Sequence, residues 1–469
     1  MSRILVPLTA LALFTFACGT PAQPPPPPWK SLPVARCGMT PYKLIDPATL
    51  GAVVHSDEIP ELQSDVGSLR TALKAQGYSG LDSKILYGTR VFRFRYTTQD
   101  RGKKVEATAT LGIPDGPNVP TTPMPVTVFL HGTTGFSDAC APSRSFDGQA
   151  AAALLASLGF IAVLPDYIGM NGEGAASTTT HGYLVGEQVA IGSWDAVRAG
   201  LALLKQLDLG GAKAGSKVVV WGGSQGGHAA MFTELWGPYY APEFQVPAVV
   251  ALVAPTTLKP LVRIAVDQWG PPTLAFASVL DTMRDWYAAP ANLEGVLTDT
   301  APYHFASTID SQLLVKDSCD DTGKAYKPIG DNPDEQTPAT VFDASFIDKI
   351  DHQQWDQLAP WSCYMNENSL ATSSVKPLRH TPTFMAYSQN DDLVVTAPMR
   401  TEFDHLCSLG YKLHYLECEG AGHSQGATWS LPEQLAWVQD RLAGKPLTDM
   451  CQRHEPVCCS GSPASVCTP

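Results

Sequence analysis

The sequence predicts an α/β fold: a mostly parallel central sheet with helices on both faces, interrupted late in the chain by a largely helical insertion. Three observations carry this. Continuous apolar strands alternate with helical stretches from residue 124 onward, the rhythm of strand–helix–strand units. A serine set among glycines, GGSQG at 222–226, stands where one such strand gives way to a helix. The alternation breaks at 256 and resumes after 376, which marks the intervening segment as an insertion into an otherwise regular sheet.

Residues 84–96 (KILYGTRVFRFRY) and 104–113 (KVEATATLGI) alternate apolar and polar residues and read as an antiparallel strand pair. MPVTVFLHG (124–132) is apolar almost throughout, as in a strand buried on both faces of a parallel sheet. GQAAAALLASLG (148–159) consists of strong helix formers, and Gly159 is placed as the C-terminal stop. FIAVLPD (160–166) is the next buried strand, followed by a helix around 186–207. SKVVVW (216–221) is a strand running straight into the serine turn; 229–237 continue as helix, and VPAVVALVAP (246–255) is another strand. Within 256–376, PPTLAFASVLDTMRDWY (271–287) has helical spacing among Pro/Asp-rich loops, so this segment is read as a cap. The sheet resumes with TPTFMAYSQNDDLVV (381–395), a helix near 397–408, the strand YKLHYLE (411–417) and a last helix near 431–443.

Composition sets the class. The chain has 469 residues, 44% hydrophobic and 16% charged, which excludes a disordered protein and allows a large core. A net charge of −13, a pI near 5.3 and no Lys/Arg run exclude a nucleic-acid partner. Arg3 followed by ILVPLTALALFTFA (4–17) is too short to span a bilayer and has the length of a signal-peptide core. It ends in Ala17-Cys18-Gly19, which resembles the lipobox of bacterial lipoproteins, where the cysteine is lipidated and tethers the protein to a membrane. Thr15 stands where those sites usually carry leucine, and ordinary cleavage near Ala22 is the alternative. PAQPPPPPW (21–29) reads as a polyproline II spacer.

Eleven cysteines become ten without Cys18, an even set that in an exported chain implies up to five disulfides. The tail CQRHEPVCCSGSPASVC (451–467), with His454, lacks paired C-x₂-C knuckles, so disulfides are expected there and no metal. Cys458 and Cys459 are expected to pair with different partners, because neighbouring Cα atoms lie closer than a disulfide normally allows. The chain is thus divided into a signal segment (1–18), a Pro-rich linker (19–36), a core in two parts (37–255 and 377–447) around the cap (256–376), and a Cys-rich tail (448–469).

The pattern G-x-S-x-G after an apolar strand and before a helix is a nucleophile elbow. Its turn is so tight that side chains at Gly222 or Gly226 would collide, and Gly227 gives further room. A nucleophilic Ser224 needs an oxyanion hole, an acid and a base. The hole is expected from the backbone N–H of Gln225 and, from the loop FLHGTTG (129–135), that of Thr133; no HGGG run is present. The acid belongs after a later strand, where the register D-x-x-V selects Asp391, with its neighbour Asp392 as the alternative. The base is His423, in ECEGAGHSQG (417–426) after the last strand. His228, four residues past the serine, follows the helix wall away from the hydroxyl and is assigned to packing. His131, His181 and His414 are read as structural or loop residues.

Four blocks together resemble the secretory-lipase (lipase A-like) family of α/β-hydrolases: HGTTGFSDACAPS (131–143), LPDYIGMNGEG (164–174), HGYLVGEQVAIGSWDAVRA (181–199) and WGGSQGGHAA (221–230). The resemblance runs from about residue 84 to 443. It implies the α/β-hydrolase fold and a cofactor-free serine esterase or lipase with a helical cap over an acyl pocket. It carries over Ser224, Asp391 and His423 as the triad, and Asp166 and Tyr167 as residues that fix a loop. Gly182 departs from the family, which commonly has proline there. The expected function is therefore an exported carboxylic-ester hydrolase acting on a small-molecule or lipid ester. A serine peptidase of the same fold and a non-catalytic surface binding protein are the alternatives. Trp269, Phe276, Trp286, Trp355 and Trp361 either line an acyl tunnel or form the cap's own small core.

Overall fold

Residues that alternate in and out of a twisted strand bury both faces of one sheet. The computed structural model describes residues 27–34, 36–75, 81–209, 211–288, 293–299, 304–312, 336–463 and 465–466. The signal segment with Cys18, residues 19–26 of the linker, Cys319 and Cys467 lie outside them. Among the described residues nine strands form a single sheet: β1 (Val53–Glu58), β2 (Gly88–Asp100), β3 (Lys103–Asp115), β4 (Met124–Leu130), β5 (Ile161–Pro165), β6 (Ala214–Gly223), β7 (Val249–Leu252), β8 (Thr383–Ser388) and β9 (Leu413–Cys418). Their spatial order is β1-β2-β3-β5-β4-β6-β7-β8-β9. The first four in that order pair antiparallel, and every pair from β5 onward is parallel.

The expected antiparallel pair is β2 with β3, closed by the two-residue turn Arg101-Gly102, both with positive φ as a type I′ turn requires. The buried strands occupy the positions expected. Gly159, at φ +100°, ends the helix before β5. β1 was not legible in the sequence because it is an edge strand whose side chains are mostly polar and half exposed.

Among the described residues twelve α-helices flank the sheet or lie between its strands: α1 (Val66–Ala75), α2 (Phe146–Ser157), α3 (Gly186–Leu207), α4 (Gln225–Tyr240), α5 (Lys259–Asp267), α6 (Pro271–Tyr287), α7 (Phe305–Gln312), α8 (Ala344–Asp351), α9 (Trp361–Glu367), α10 (Thr396–Ser408), α11 (His423–Trp429) and α12 (Leu431–Leu442). Strand alternation sorts the core into two layers. Val126, Val128, Val218 and Val220 pack with α3 and α4, whereas Val219 and Trp221 pack with Leu435 and Val438 of α12 and Leu73 of α1. α2 covers that second face beside Ala162 and Leu164. None of the described helices is long and apolar enough to cross a membrane.

Helices α5 to α9 lie between β7 and β8, within the segment read as a cap. Phe276, Trp286 and Trp361 are buried there, with Trp269 and Trp355 packed against them. Trp286 donates its indole N–H to Asp100 at the end of β2 (3.0 Å), and Tyr287 stacks on Tyr364 with ring centroids 4.1 Å apart. These aromatics therefore form an interior.

The Pro-rich linker was expected to run to residue 36, but the chain packs on the core from Trp29. Residues Pro28–Ser31 form a 3₁₀ turn, and Leu32 is buried. Arg36 sits between Glu187 of α3 and Glu367 of α9, with Tyr42 sharing Glu187. The disulfide Cys37–Cys363 joins this N-terminal strap to α9. Two more disulfides, Cys407–Cys451 and Cys418–Cys459, hold the tail along β9, where Met450 pairs with His414 and Val457 with Cys418. Cys459 thus pairs away from its neighbour, as the Cα spacing demands.

Cys418 ends β9, and its bond to Cys459 closes a chain separation of 41 residues. Closing a loop of that length restricts the unfolded chain by about 3–4 kcal/mol. Replacing both cysteines by serine should lower unfolding free energy by about that amount, measured by denaturant titration of the oxidised proteins.

Candidate active site

Ser224 lies between the last residue of β6 and the first of α4, with φ +56° and ψ −121°. That conformation is strained for a residue with a side chain and persists only where the surroundings fix it. Its N–H donates to Leu252 O (2.8 Å), and its carbonyl accepts from Gly227 N (2.9 Å) and His228 N (3.1 Å). The flanking glycines are required sterically. A Cβ at Gly222 would lie 2.1 Å from Gly226 O, and one at Gly226 would lie 1.9 Å from Leu130 O. At Gly227 it would meet Ala254 Cβ and Leu252 O at 2.7 Å.

Three loops at the carboxyl ends of parallel strands converge on this serine. After β8, Asp391 is buried and accepts from Leu393 N (3.0 Å) and Val394 N (2.8 Å), while Asp392 is exposed. After β9, the chain turns into α11, whose first residue is His423. Gly426 lets that helix close on β8, since a Cβ there would lie 2.0 Å from Ser388 Oγ. His423 Nδ1 is 2.8 and 2.9 Å from the two Asp391 carboxylate oxygens, and its Nε2 is 2.8 Å from Ser224 Oγ. The structure thus brings together the serine, histidine and aspartate that sequence spacing selected, across 199 residues between Ser224 and His423.

After β4, the loop 131–135 passes over the serine: a Cβ built on Gly132 would lie 3.7 Å from Ser224 Cβ. Among the described residues the amides of Thr133 and Gln225 have no hydrogen-bond partner, so both donors are available. Thr133 Oγ1 is hydrogen-bonded to Tyr183 OH (2.8 Å), and Tyr183 meets Phe136 edge-on at 5.4 Å. Tyr183 was not singled out from sequence; an aromatic in a glycine-rich loop carries no local signal of where its hydroxyl goes.

Behind these loops lies a stack of neutral rings. Tyr167, with φ +70°, packs between His131 (4.2 Å) and His181 (5.5 Å, interplanar angle 5°) and donates its hydroxyl to His131 O (2.9 Å). Burial lowers the His131 pKa to about 4 and, aided by His131, that of His181 to about 3. The neutral His181 takes a hydrogen bond at Nε2 from the side-chain amide of Gln225 (2.7 Å), which pins the residue that follows the serine. Asp166 accepts from Thr108 Oγ1 (2.6 Å) and Ser143 N (2.7 Å), and burial raises its pKa to about 6. It ties the 143 loop to β3. Gly182 donates its N–H to Gln188 Oε1 (2.6 Å), a bond that proline could not make.

His228 does not reach the serine hydroxyl. It is buried, stacks on Phe232 at 4.5 Å, and its Nε2 bonds to Asn368 O (2.9 Å) in the segment after α9. Asn368 in turn accepts from Gly186 N and donates to Tyr287 OH (2.9 Å each). His414 packs between Phe384 and Trp437. Among the described residues one group, His55, Asp57 and Glu173, gathers a histidine with carboxylates. It is mostly exposed, and Glu173 is also paired with Arg93 (3.1 Å), whose cation opposes a second one.

The family model described as secretory lipase matches residues 143–285 and 349–450, together more than half of the chain. The chain belongs to the secretory lipase family. Two lipases of Candida albicans are similar to it: Lipase 6, 23% identical over 312 residues, and Lipase 5, 26% identical over 328. The matches cover 62% and 67% of this chain but only 58% and 64% of those lipases' own length. The fold is that of the rice cell wall degrading esterase LipA from Xanthomonas oryzae, with TM-score 0.65 at 21% identity over 84% of this chain and 99% of that one. This family member therefore has the mostly parallel sheet of the α/β-hydrolases.

Burial holds the His228 pKa at about 4, below the ordinary 6.5, so the unfolded state binds its proton first as pH falls. The stability that a neutral His228 contributes is complete above pH 6.5 and is lost as pH falls toward 4. The difference in unfolding free energy between the wild type and His228→Gln should accordingly shift against the wild type between pH 7 and 4.5, by denaturant titration. A shift in its favour would mean that His228 is charged in the fold.

Proposed function

We propose that the protein is an exported serine hydrolase of carboxylic esters, a lipase or carboxylesterase acting through an acyl-enzyme. The observation that carries this reading is the unbroken hydrogen-bonded chain from Asp391 through His423 to a serine held in strained geometry. Family membership and the esterase fold of the structural neighbour support the substrate class.

Ser224 Oγ gives its proton to His423 Nε2 as it attacks the ester carbonyl. Asp391, itself held by two backbone N–H groups, keeps the imidazole with its proton on Nδ1 and stabilises the imidazolium. The carbonyl oxygen becomes an oxyanion facing the amides of Gln225 and Thr133. Gln225, at the start of α4, is already pinned by His181, and Thr133 by Tyr183, so little reorganisation is needed as charge develops. His423 then passes the proton to the departing alkoxide. Water, deprotonated by the same ring, attacks the acyl-enzyme and releases the acid. No cofactor or metal enters this scheme. The apolar N-terminal segment and the disulfides support export, with Cys18 as the candidate lipid anchor.

Ser224→Ala should reduce kcat by roughly 10⁶ on p-nitrophenyl esters, and a fluorophosphonate should label wild-type protein at Ser224 alone; an unlabelled, folded protein would overturn the assignment. Asp391→Asn should cost about 10⁴ in kcat by favouring the wrong imidazole tautomer. The exposed Asp392→Asn should leave kcat essentially as in the wild type. Equal losses at both positions would remove Asp391 from its role.

A further inference from the structure

Asp100, the last residue of β2, is buried, yet its carboxylate serves donors from three elements. Oδ1 accepts from Trp286 Nε1 of α6 (3.0 Å) and Gln188 Nε2 of α3 (3.3 Å). Oδ2 accepts from Thr179 Oγ1 (2.9 Å) and from Arg101 Nε (3.0 Å) and Nη2 (2.6 Å). A carboxylate only accepts and has lone pairs enough for all of these; a neutral side chain of the same size does not.

Thr179 and Gln188 bracket one short loop, 179–185, which has neither helix nor strand of its own and leads into α3. Gln188 also donates to Thr180 O (3.1 Å) and accepts from Gly182 N (2.6 Å), so it fastens the backbone on both sides of His181. His181 accepts from the Gln225 side-chain amide (2.7 Å), and Tyr183, two positions on, bonds to Thr133 Oγ1 (2.8 Å). The bonds Tyr183 N to His181 O (3.1 Å) and Val185 N to Gly182 O (3.0 Å) shape the loop's own turn. Asp100 gives it a fixed point on the sheet. One loop thus holds both residues whose amides face the oxyanion, and a displacement of it moves both donors together.

We propose that Asp100 is a positioning residue for the oxyanion hole: by fixing the loop 179–183 against β2 it sets, through His181 and Tyr183, where the amides of Gln225 and Thr133 point. The proposal rests on the hydrolase reading above. Preorganised donors must be held to within about 0.5 Å of the productive geometry. A shift of the loop too small to unfold anything therefore still costs rate. The cost falls on the transition state, where the oxyanion exists, and leaves ester binding alone.

The test compares Asp100→Asn and Thr179→Val with wild-type protein on p-nitrophenyl butyrate, counting turnover per serine labelled by a fluorophosphonate. Asp100→Asn sets an NH₂ group against the donors on one side of the former carboxylate, and Thr179→Val removes one hydroxyl at a half-buried position without changing the side chain's shape. Asp100→Asn should lower kcat roughly tenfold or more and Thr179→Val about threefold, with KM within about twofold of wild type. A trifluoromethyl ketone, whose serine adduct carries an oxyanion, should lose affinity in step with kcat. In a Gln225→Ala/Tyr183→Phe background both ties to the donors are already cut, and there Asp100→Asn should cost about threefold or less. An unchanged kcat per labelled serine in both variants would overturn the proposal, as would a loss confined to KM or one undiminished in that background. Should Asp100→Asn not fold, Thr179→Val decides on the same readouts. Wild-type protein that neither hydrolyses an ester nor takes the label would instead sink the hydrolase reading, and this role with it.

Discussion

Ser224 occupies a backbone conformation that a side-chain-bearing residue enters only under constraint, and much of the site follows from how that constraint is met. The turn from β6 into α4 is closed by hydrogen bonds from the Ser224 amide to β7 and from the first turn of α4 back to the Ser224 carbonyl. It has room because three neighbours lack a Cβ: any side chain at 222, 226 or 227 would run into backbone. Close packing turns this local demand into a global one. β4, β6 and β7 must keep their register for the turn to stay closed, and that register places the loops after β4, β8 and β9 within reach of one hydroxyl.

The same packing explains why so much polar chemistry near the site is held neutral. His131, Tyr167 and His181 form a stack in which burial outweighs the usual charge preference of imidazole, and Asp166 is pushed the other way by the same cause. Each group has a definite hydrogen-bond duty: Tyr167 holds the loop after β4, His181 holds Gln225, and Asp166 holds the loop at 143. The packed rings of His131, Tyr167 and His181, held neutral, keep their neighbours in place without adding a charge of their own beside the serine. Three glycines, at 222, 226 and 227, serve the turn.

The segment between β7 and β8 is fastened to the core at several points and from outside. Asn368 receives His228 from α4 and bonds to Gly186 of α3, Trp286 reaches Asp100 of β2, and the N-terminal strap joins it through Arg36 and the Cys37–Cys363 bond. His228, next to the serine in sequence, is spent on this fastening. Its burial makes it a poor proton acceptor, and its ring faces Asn368, away from the hydroxyl.

Local physics was enough for much of this. Buried strands announce themselves by unbroken apolar runs, and the elbow by glycines whose spacing only a strand-to-helix turn explains. The order of serine, aspartate and histidine follows from the succession of strand ends; thus β4 to β9, Ser224, Asp391 and His423 were all legible. The edge strand β1, half exposed and polar, left no such pattern, and the packed strap after Pro28 was hidden behind a proline-rich composition. Tertiary structure alone decided which carboxylate of Asp391 and Asp392 turns inward, since that depends on which one two backbone amides can reach. It alone decided that Tyr183, His181 and Asn368 support the site, because their partners lie on other elements.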